Sequence, residues 1–135
     1  WTIPAVRMKT KVIHRVPLSE PVTKLLEKRQ QKPSQRGLVF PSPRAGNVLT
    51  DMALTSFLRK HKAISDVNGR IATAHGFRSS FRDWASENGY SQHLAERTLA
   101  HTVKNAVEAA YHRTDLLEQR RPMMENWANF VISKK

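Results

Sequence analysis

There is no cysteine anywhere in the 135 residues. Disulfides, thiolate metal sites and cysteine nucleophiles are thereby excluded, and a reducing compartment fits. No apolar run reaches the 18 or so residues of a membrane helix. A secretory leader is also missing, since the opening Trp1-Thr2-Ile3-Pro4 has no basic stretch followed by an apolar one. The chain does not begin with methionine, and on that ground it reads as a piece of something longer, cut on its amino side. Aromatics are few at 7%, and neither an internal repeat nor a low-complexity tract is present. Acidic residues are the scarcest class for the size, 11 against 23 lysines and arginines.

What is abundant is positive charge. A formal net charge of +12 repels itself unless a polyanion is the partner. Nucleic acid is the first expectation. An anionic membrane surface is weaker, because the basic residues are scattered and not gathered on one amphipathic helix. The length suits one domain or part of one, with enough apolar residues for a core.

The pattern along the chain predicts a hairpin over residues 1–17, where Ile3, Val12, Ile13 and Val16 favour strand and Arg7 to Lys11 form the turn. Ser19 and Pro21 then open a helix carrying Val22, Leu25 and Leu26. Leu38-Val39-Phe40 reads as a short strand. Thr50 is expected to cap a second helix with Ala53, Leu54, Phe57 and Leu58 inward. Asn68-Gly69 marks a turn. A third helix runs from about Gly76 to Asn88, stopped by Gly89. Ser91 caps a short helix ending near His101, and Val103 to His112 is helical by pattern. A last helix starts near Thr114 or Asp115, and Pro122 is expected to kink or interrupt it. The fold class is mainly α with a small β-hairpin edge, an α+β arrangement.

The third helix contains the stretch HGFRSSFRDWA, residues 75–85. At about 100° per residue, Phe77, Phe81, Trp84 and Ala85 share one stripe, and His75, Arg78 and Arg82 share another. The aromatics form a floor and the cations stand beside it. Breaking a DNA strand without a metal needs such cations, because the transition state adds charge to the phosphate oxygens. Arginine suits the task, with a permanent charge and a two-pronged donor. A nucleophile and an acid for the leaving 5′ oxygen are needed as well. Tyrosine can attack and later be displaced, since its phenol ionises near pH ~10. Candidates exist for each part in His75, Arg78, His101, Tyr111 and the basic turn with Lys9 and Lys11. The other histidines, His14, His61, His93 and His112, show no metal-ligand spacing with carboxylates. No metal and no cofactor are called for.

His75-x-x-Arg78, then Leu99-Ala100-His101, then Tyr111 in order resembles the tyrosine recombinases. The stretches HGFRSSFRDWASE, LAHTVKNAVEAAYHR and DLLEQRRPMMENWANFV resemble the prophage and genomic-island integrases within that family. The opening WTIPAVRMKTKVIHRVPLS is similar to their catalytic-lysine hairpin. The resemblance spans essentially the whole chain. It implies part of the recombinase catalytic-domain fold, with residues 1–17 as the lysine hairpin, 18–113 as the helical core and 114–135 as the C-terminal helix and tail. It also implies roles. Tyr111 attacks the scissile phosphate, Arg78 clamps it, and His75 orients the site and takes the tyrosine proton. His101 donates to a non-bridging oxygen and Lys9 protonates the 5′ oxygen. Lys11 is a substitute for Lys9, as two positions along a strand return to one face. Arg82, Arg7, Lys11 and Lys104 are expected to face DNA. Tyr90 is the rival nucleophile, and Tyr111 is preferred because Tyr90 follows a helix-stopping glycine and has the wrong position relative to His101 in the family pattern.

The family pattern also has an earlier arginine on a helix before the lysine hairpin, and no residue here takes that place. These residues alone are therefore expected to cut DNA poorly. The implied partners are double-stranded attachment sites, accessory DNA-bending proteins and further copies of the protein, four in the synaptic complex, with the 135-residue piece itself a monomer. The implied location is the bacterial cytoplasm, on DNA. Met123, Met124, Trp127, Phe130 and Val131 give either a core face or a surface that docks on a neighbouring protomer. A type IB topoisomerase and a non-catalytic DNA-binding module are the competing readings.

Overall fold

The computed structural model describes residues 1–31, 37–43, 47–101 and 114–133. They are mostly helical with one two-stranded sheet, as the pattern predicts. Two compact units divide the chain, one made of residues 1–22 and 81–135 and the other of residues 23–80.

In the first unit, β1 (Thr2–Ile3) pairs antiparallel with β2 (His14–Arg15), Thr2 opposite Arg15 and Ile3 opposite His14. The hairpin is present but its arms are only two residues long, and Val12 and Ile13 stand exposed outside them. Between the arms the chain closes on itself. A 3-10 turn at Ala5–Arg7 is followed by amide bonds from Met8 to the Ala5 carbonyl (3.0 Å) and from Lys11 to the Met8 carbonyl (3.1 Å). Lys11 sits at φ +57°. Lys9 and Lys11 are thus in a turn and not along a strand, so the two-residue period that would put them on one face does not apply.

The core of this unit gathers three helices: α3 (Gly76–Glu87) from Phe81 onward, α4 (Gln92–Thr98) and α5 (Leu117–Ser133). Phe81, Trp84, Ala85, Leu94, Ala95 and Met123 are buried together. Trp127 meets Phe81 edge-on at 5.4 Å and Trp84 at 5.2 Å, and Phe130 stacks on Trp127 at 5.6 Å. Each large side chain buried here contributes about 1.5–3 kcal/mol. Met123 is thus buried and Met124, Trp127 and Phe130 pack partly buried on this chain's own core, while Val131 stands about half exposed. Pro122 does not interrupt α5. Its ring removes one amide donor, and the packing on either side holds the helix through it.

The ends of α3 and α4 obey one rule. Gly89 lies at φ +75°, its amide bonded to the Ser86 carbonyl and the next amide, of Tyr90, to the Ala85 carbonyl. Ala100 lies at φ +54°, its amide bonded to the Arg97 carbonyl and that of His101 to the Glu96 carbonyl. Both are Schellman stops, which use a left-handed residue to satisfy the last carbonyls. The start of α4 is capped as expected, the Ser91 hydroxyl accepting from the Leu94 amide at 3.2 Å.

α1 (Glu20–Gln30) begins in the first unit, and residues 23–80 hold the rest of it together with α2 (Ala53–Lys60). In α2 only Leu58 is buried; Leu54 and Phe57 are about half exposed, against the inward stripe predicted for them. Phe77, grouped by period with Phe81, is likewise half exposed. Thr50 does not cap α2 with its side chain; the N-cap position is Met52. Leu38 to Phe40 is no strand. The Arg29 guanidinium instead donates to the Val39 carbonyl (3.4 Å) and lies over the Phe40 ring. The Asn68-Gly69 turn is present, with Gly69 at φ +74°, and it closes a bridge between Ile64 and Ile71.

Candidate DNA-cleavage site

His75 immediately precedes α3, and its carbonyl accepts from the Arg78 amide at 3.0 Å. Thr73 sets that start, its hydroxyl accepting from the Gly76 amide at 3.0 Å. Arg78 then lies in the first turn and Arg82 one turn further on, so the two guanidinium stems leave the same side of one helix. No acidic residue occupies the first turn. The partial positive charge of the helix start is therefore not cancelled locally, and the Arg78 guanidinium adds to it. His75 is exposed and Arg78 half-buried.

His101 is the residue that follows the left-handed stop of α4, and it is exposed. Tyr90 occupies the equivalent place after α3 and does the opposite. Its ring packs on Trp84 at 5.4 Å, and its hydroxyl accepts from the Asn126 side-chain amide at 2.7 Å. Tyr90 is thus a core tyrosine committed to α5. The same backbone motif turns one side chain into the core and leaves the other, a histidine, in the open.

Lys9 and Arg7 are exposed on the loop of the hairpin, and Lys11 is exposed beside them. Lys9, His101 and Arg82 belong to the first unit, whereas His75 and Arg78 belong to residues 23–80. Tyr111 and Lys104 lie outside the described residues, as does the helix expected over Val103 to His112.

Within the first unit a charged junction ties the hairpin to the start of α5. The Arg15 guanidinium donates to both carboxylate oxygens of Asp115, each at 2.7 Å. The Asp115 carboxylate also accepts from the Leu117 amide at 3.3 Å, at the helix entrance. The hydrogen bond from Arg15 holds the Asp115 carboxyl below its ordinary range, against the opposing effect of partial burial. The same bond raises Arg15. Arg120 is fully buried and donates to the backbone carbonyls of Asp115 (2.9 Å) and Arg15. Burial pushes its pKa down, opposed by the charge of Asp115. Sequence reasoning missed all three residues. Partners a hundred positions apart leave no local period, and Arg120 is one of two adjacent arginines in α5, so the sequence did not single it out.

The Phage integrase family model matches residues 1–117. The chain belongs to the phage integrase family. Prophage integrase IntA of Escherichia coli (strain K12) is 37% identical over 131 residues, covering 97% of this chain and 31% of its own length. The integrase of Enterobacteria phage P4 is 34% identical over 146 residues, 97% of this chain and 33% of the relative. Prophage integrase IntZ of Escherichia coli (strain K12) is 33% identical over 133 residues, 98% and 32% respectively. The chain thus spans about a third of the length of these relatives. No solved structure matches it. Among the described residues no helix is long and apolar enough to cross a membrane.

Proposed function

We propose that the protein carrying this chain is a site-specific DNA recombinase that integrates or excises mobile DNA through a 3′-phosphotyrosine intermediate. The observation that carries the reading is the start of α3, where His75 and Arg78 stand together at a helix terminus free of acid. Membership of the phage integrase family supports it, as do relatives named integrases.

In this reading Tyr111 is the nucleophile. Its phenolic oxygen attacks the scissile phosphorus, and the bond to the 5′ oxygen breaks. His75 takes the phenolic proton, and the Lys9 ammonium gives one to the departing 5′ oxygen. Rejoining runs in reverse, with the 5′ hydroxyl of another strand as attacker. Arg78 clamps two non-bridging oxygens, and His101 donates to one of them. A preorganised donor of this kind is typically worth about 3–4 kcal/mol to the transition state. Residues 1–17 serve as the lysine hairpin, 18–113 as the helical core and 114–135 as the C-terminal segment. Arg82, Arg7, Lys11 and Lys104 contact the DNA backbone. Four copies meet at paired attachment sites in the bacterial cytoplasm, with DNA-bending proteins assisting.

The test is covalent trapping on a nicked suicide duplex by the full-length protein. Tyr111→Phe is expected to bind DNA normally and form no adduct on a denaturing gel; an adduct from that variant would remove Tyr111 as nucleophile. The 135 residues by themselves offer Arg78 as the one assigned clamp. They are expected to form adduct at least ~10²-fold more slowly than the full-length protein, the usual cost of one missing donor. Equal rates would refute that.

A further inference from the structure

Among the described residues Arg120 is the largest side chain that is fully buried, at 0% exposure. A buried guanidinium is a poor way to gain stability, because an apolar residue of similar volume usually does as well or better. Its hydrogen bonds point to another role. Two of its nitrogens donate to backbone carbonyls, of Asp115 at the entrance of α5 and of Arg15 in β2. Its Nε has no acceptor among the described residues. Arg15 in turn grips the Asp115 side chain with both prongs, and Leu116 between Asp115 and α5 is held at φ +53°. A leucine keeps that conformation only where its surroundings impose it. A second tie lies nearby, where the Glu20 amide donates to the Glu125 carboxylate at 2.9 Å. The exit of β2 and the entrance of α5 are therefore locked in one register.

β2 is also the base of the loop that carries Lys9. That loop is closed by its own amide bonds at Arg7, Met8 and Lys11, and its base is short: two residue pairs between β1 and β2, extended by Trp1 and Val16, which exchange both backbone bonds. It is a stiff arm on a narrow base, so a small rotation of the base displaces the lysine at its tip. We propose that Arg15, Asp115 and Arg120 form a positioning device that fixes the base of this loop against α5, and so aims Lys9 at the leaving 5′ oxygen. The proposal rests on the role given to Lys9 above. Arg15 and Asp115 touch neither DNA nor the reacting atoms in this scheme; they act through the loop.

The experiment uses the full-length protein and two nicked suicide duplexes. One has the ordinary scissile phosphate, and the other has sulfur in place of the bridging 5′ oxygen. A thiolate leaves without needing a proton, so a defect in proton delivery disappears on sulfur, whereas a defect in folding, DNA binding or nucleophilic attack remains. Asp115→Asn and Arg15→Gln are expected to cleave the oxygen substrate between tenfold and a hundredfold more slowly, since a misplacement of about 1 Å costs on the order of 10² in rate. Both are expected to cleave the sulfur substrate within about threefold of the unaltered protein, and the double variant to be no slower than the slower single one, as for residues acting as a unit. Arg15→Lys, which keeps the charge, is expected to recover part of the loss. Equal losses on both substrates, or no loss on oxygen, would overturn the positioning role. Lys9→Ala is the separate control: if sulfur fails to restore it, the assignment of Lys9 itself is wrong, and the failure is located there and not at the junction.

Discussion

At the residue scale, two left-handed positions make opposite predictions. Gly89 at φ +75° has open space where a Cβ would go, so Gly89→Ala meets only backbone strain. A loss of about 1 kcal/mol is expected, read as a lower midpoint in urea at unchanged slope. Ala100, at φ +54° before His101, already carries that strain. Ala100→Gly relieves about 1–2 kcal/mol of it and gives back about 0.4–1 kcal/mol through a freer unfolded chain. A net gain near 0.5 kcal/mol is expected in the same measurement, and a clear loss would contradict the stop described for α4. The alanine also leaves His101 fewer backbone options than glycine would.

At the element scale, the tie between β2 and α5 depends on the ionised Asp115. Its folded pKa lies below the unfolded value because Arg15 donates to it. The stabilisation is therefore complete above the unfolded carboxylate pKa of about 3.9 and is lost as pH falls through the lower folded value. Both partners are partly exposed, so solvent screens the pair and its contribution at neutral pH is small. Asp115→Asn should accordingly lower stability at pH 7, and the gap from the unaltered protein should narrow steadily below about pH 4. A gap independent of pH would mean that the carboxylate charge is irrelevant there. The Asn oxygen can still accept from the Leu117 amide, while its amide nitrogen cannot accept from the Arg15 guanidinium, so the substitution removes the charge and one of the two bonds to Arg15 together.

For the whole molecule, charge and exposed apolar surface make separate statements. A net charge of +12 predicts DNA binding that weakens steeply with salt, by about 0.9 in log K per log salt for each phosphate neutralised. Arg82→Ala should flatten that slope by about one unit; an unchanged slope would take Arg82 off the DNA. In residues 23–80, Leu25, Met52, Leu54, Phe57 and Phe77 are all about half exposed or nearly so. Each leaves apolar surface open to solvent. The 135-residue polypeptide alone is expected to bind a hydrophobic dye such as ANS, and no dye fluorescence would show that surface to be covered.

Local rules carried the reading of the sequence a long way. The third helix with its stop at Gly89, the Ser91 cap and the Asn68-Gly69 turn depend on neighbours a few positions apart, and each is where the pattern predicts it, whereas the fourth helix ends at Thr98, short of the predicted end near His101. His75 and Arg78 were singled out from their three-residue spacing, and His101 from its place in the family resemblance. Which apolar side chains are buried was legible only in part: Leu58, Phe81, Trp84, Ala85 and Met123 are buried as their period predicts. Phe57 and Phe77 have the period of core residues and stand exposed, while Trp127 and Phe130 close on Trp84 from a distant part of the chain. The Arg15, Asp115 and Arg120 junction was hidden. Burial and long-range hydrogen bonds are set by what the folded chain brings alongside, and only the tertiary structure decides that.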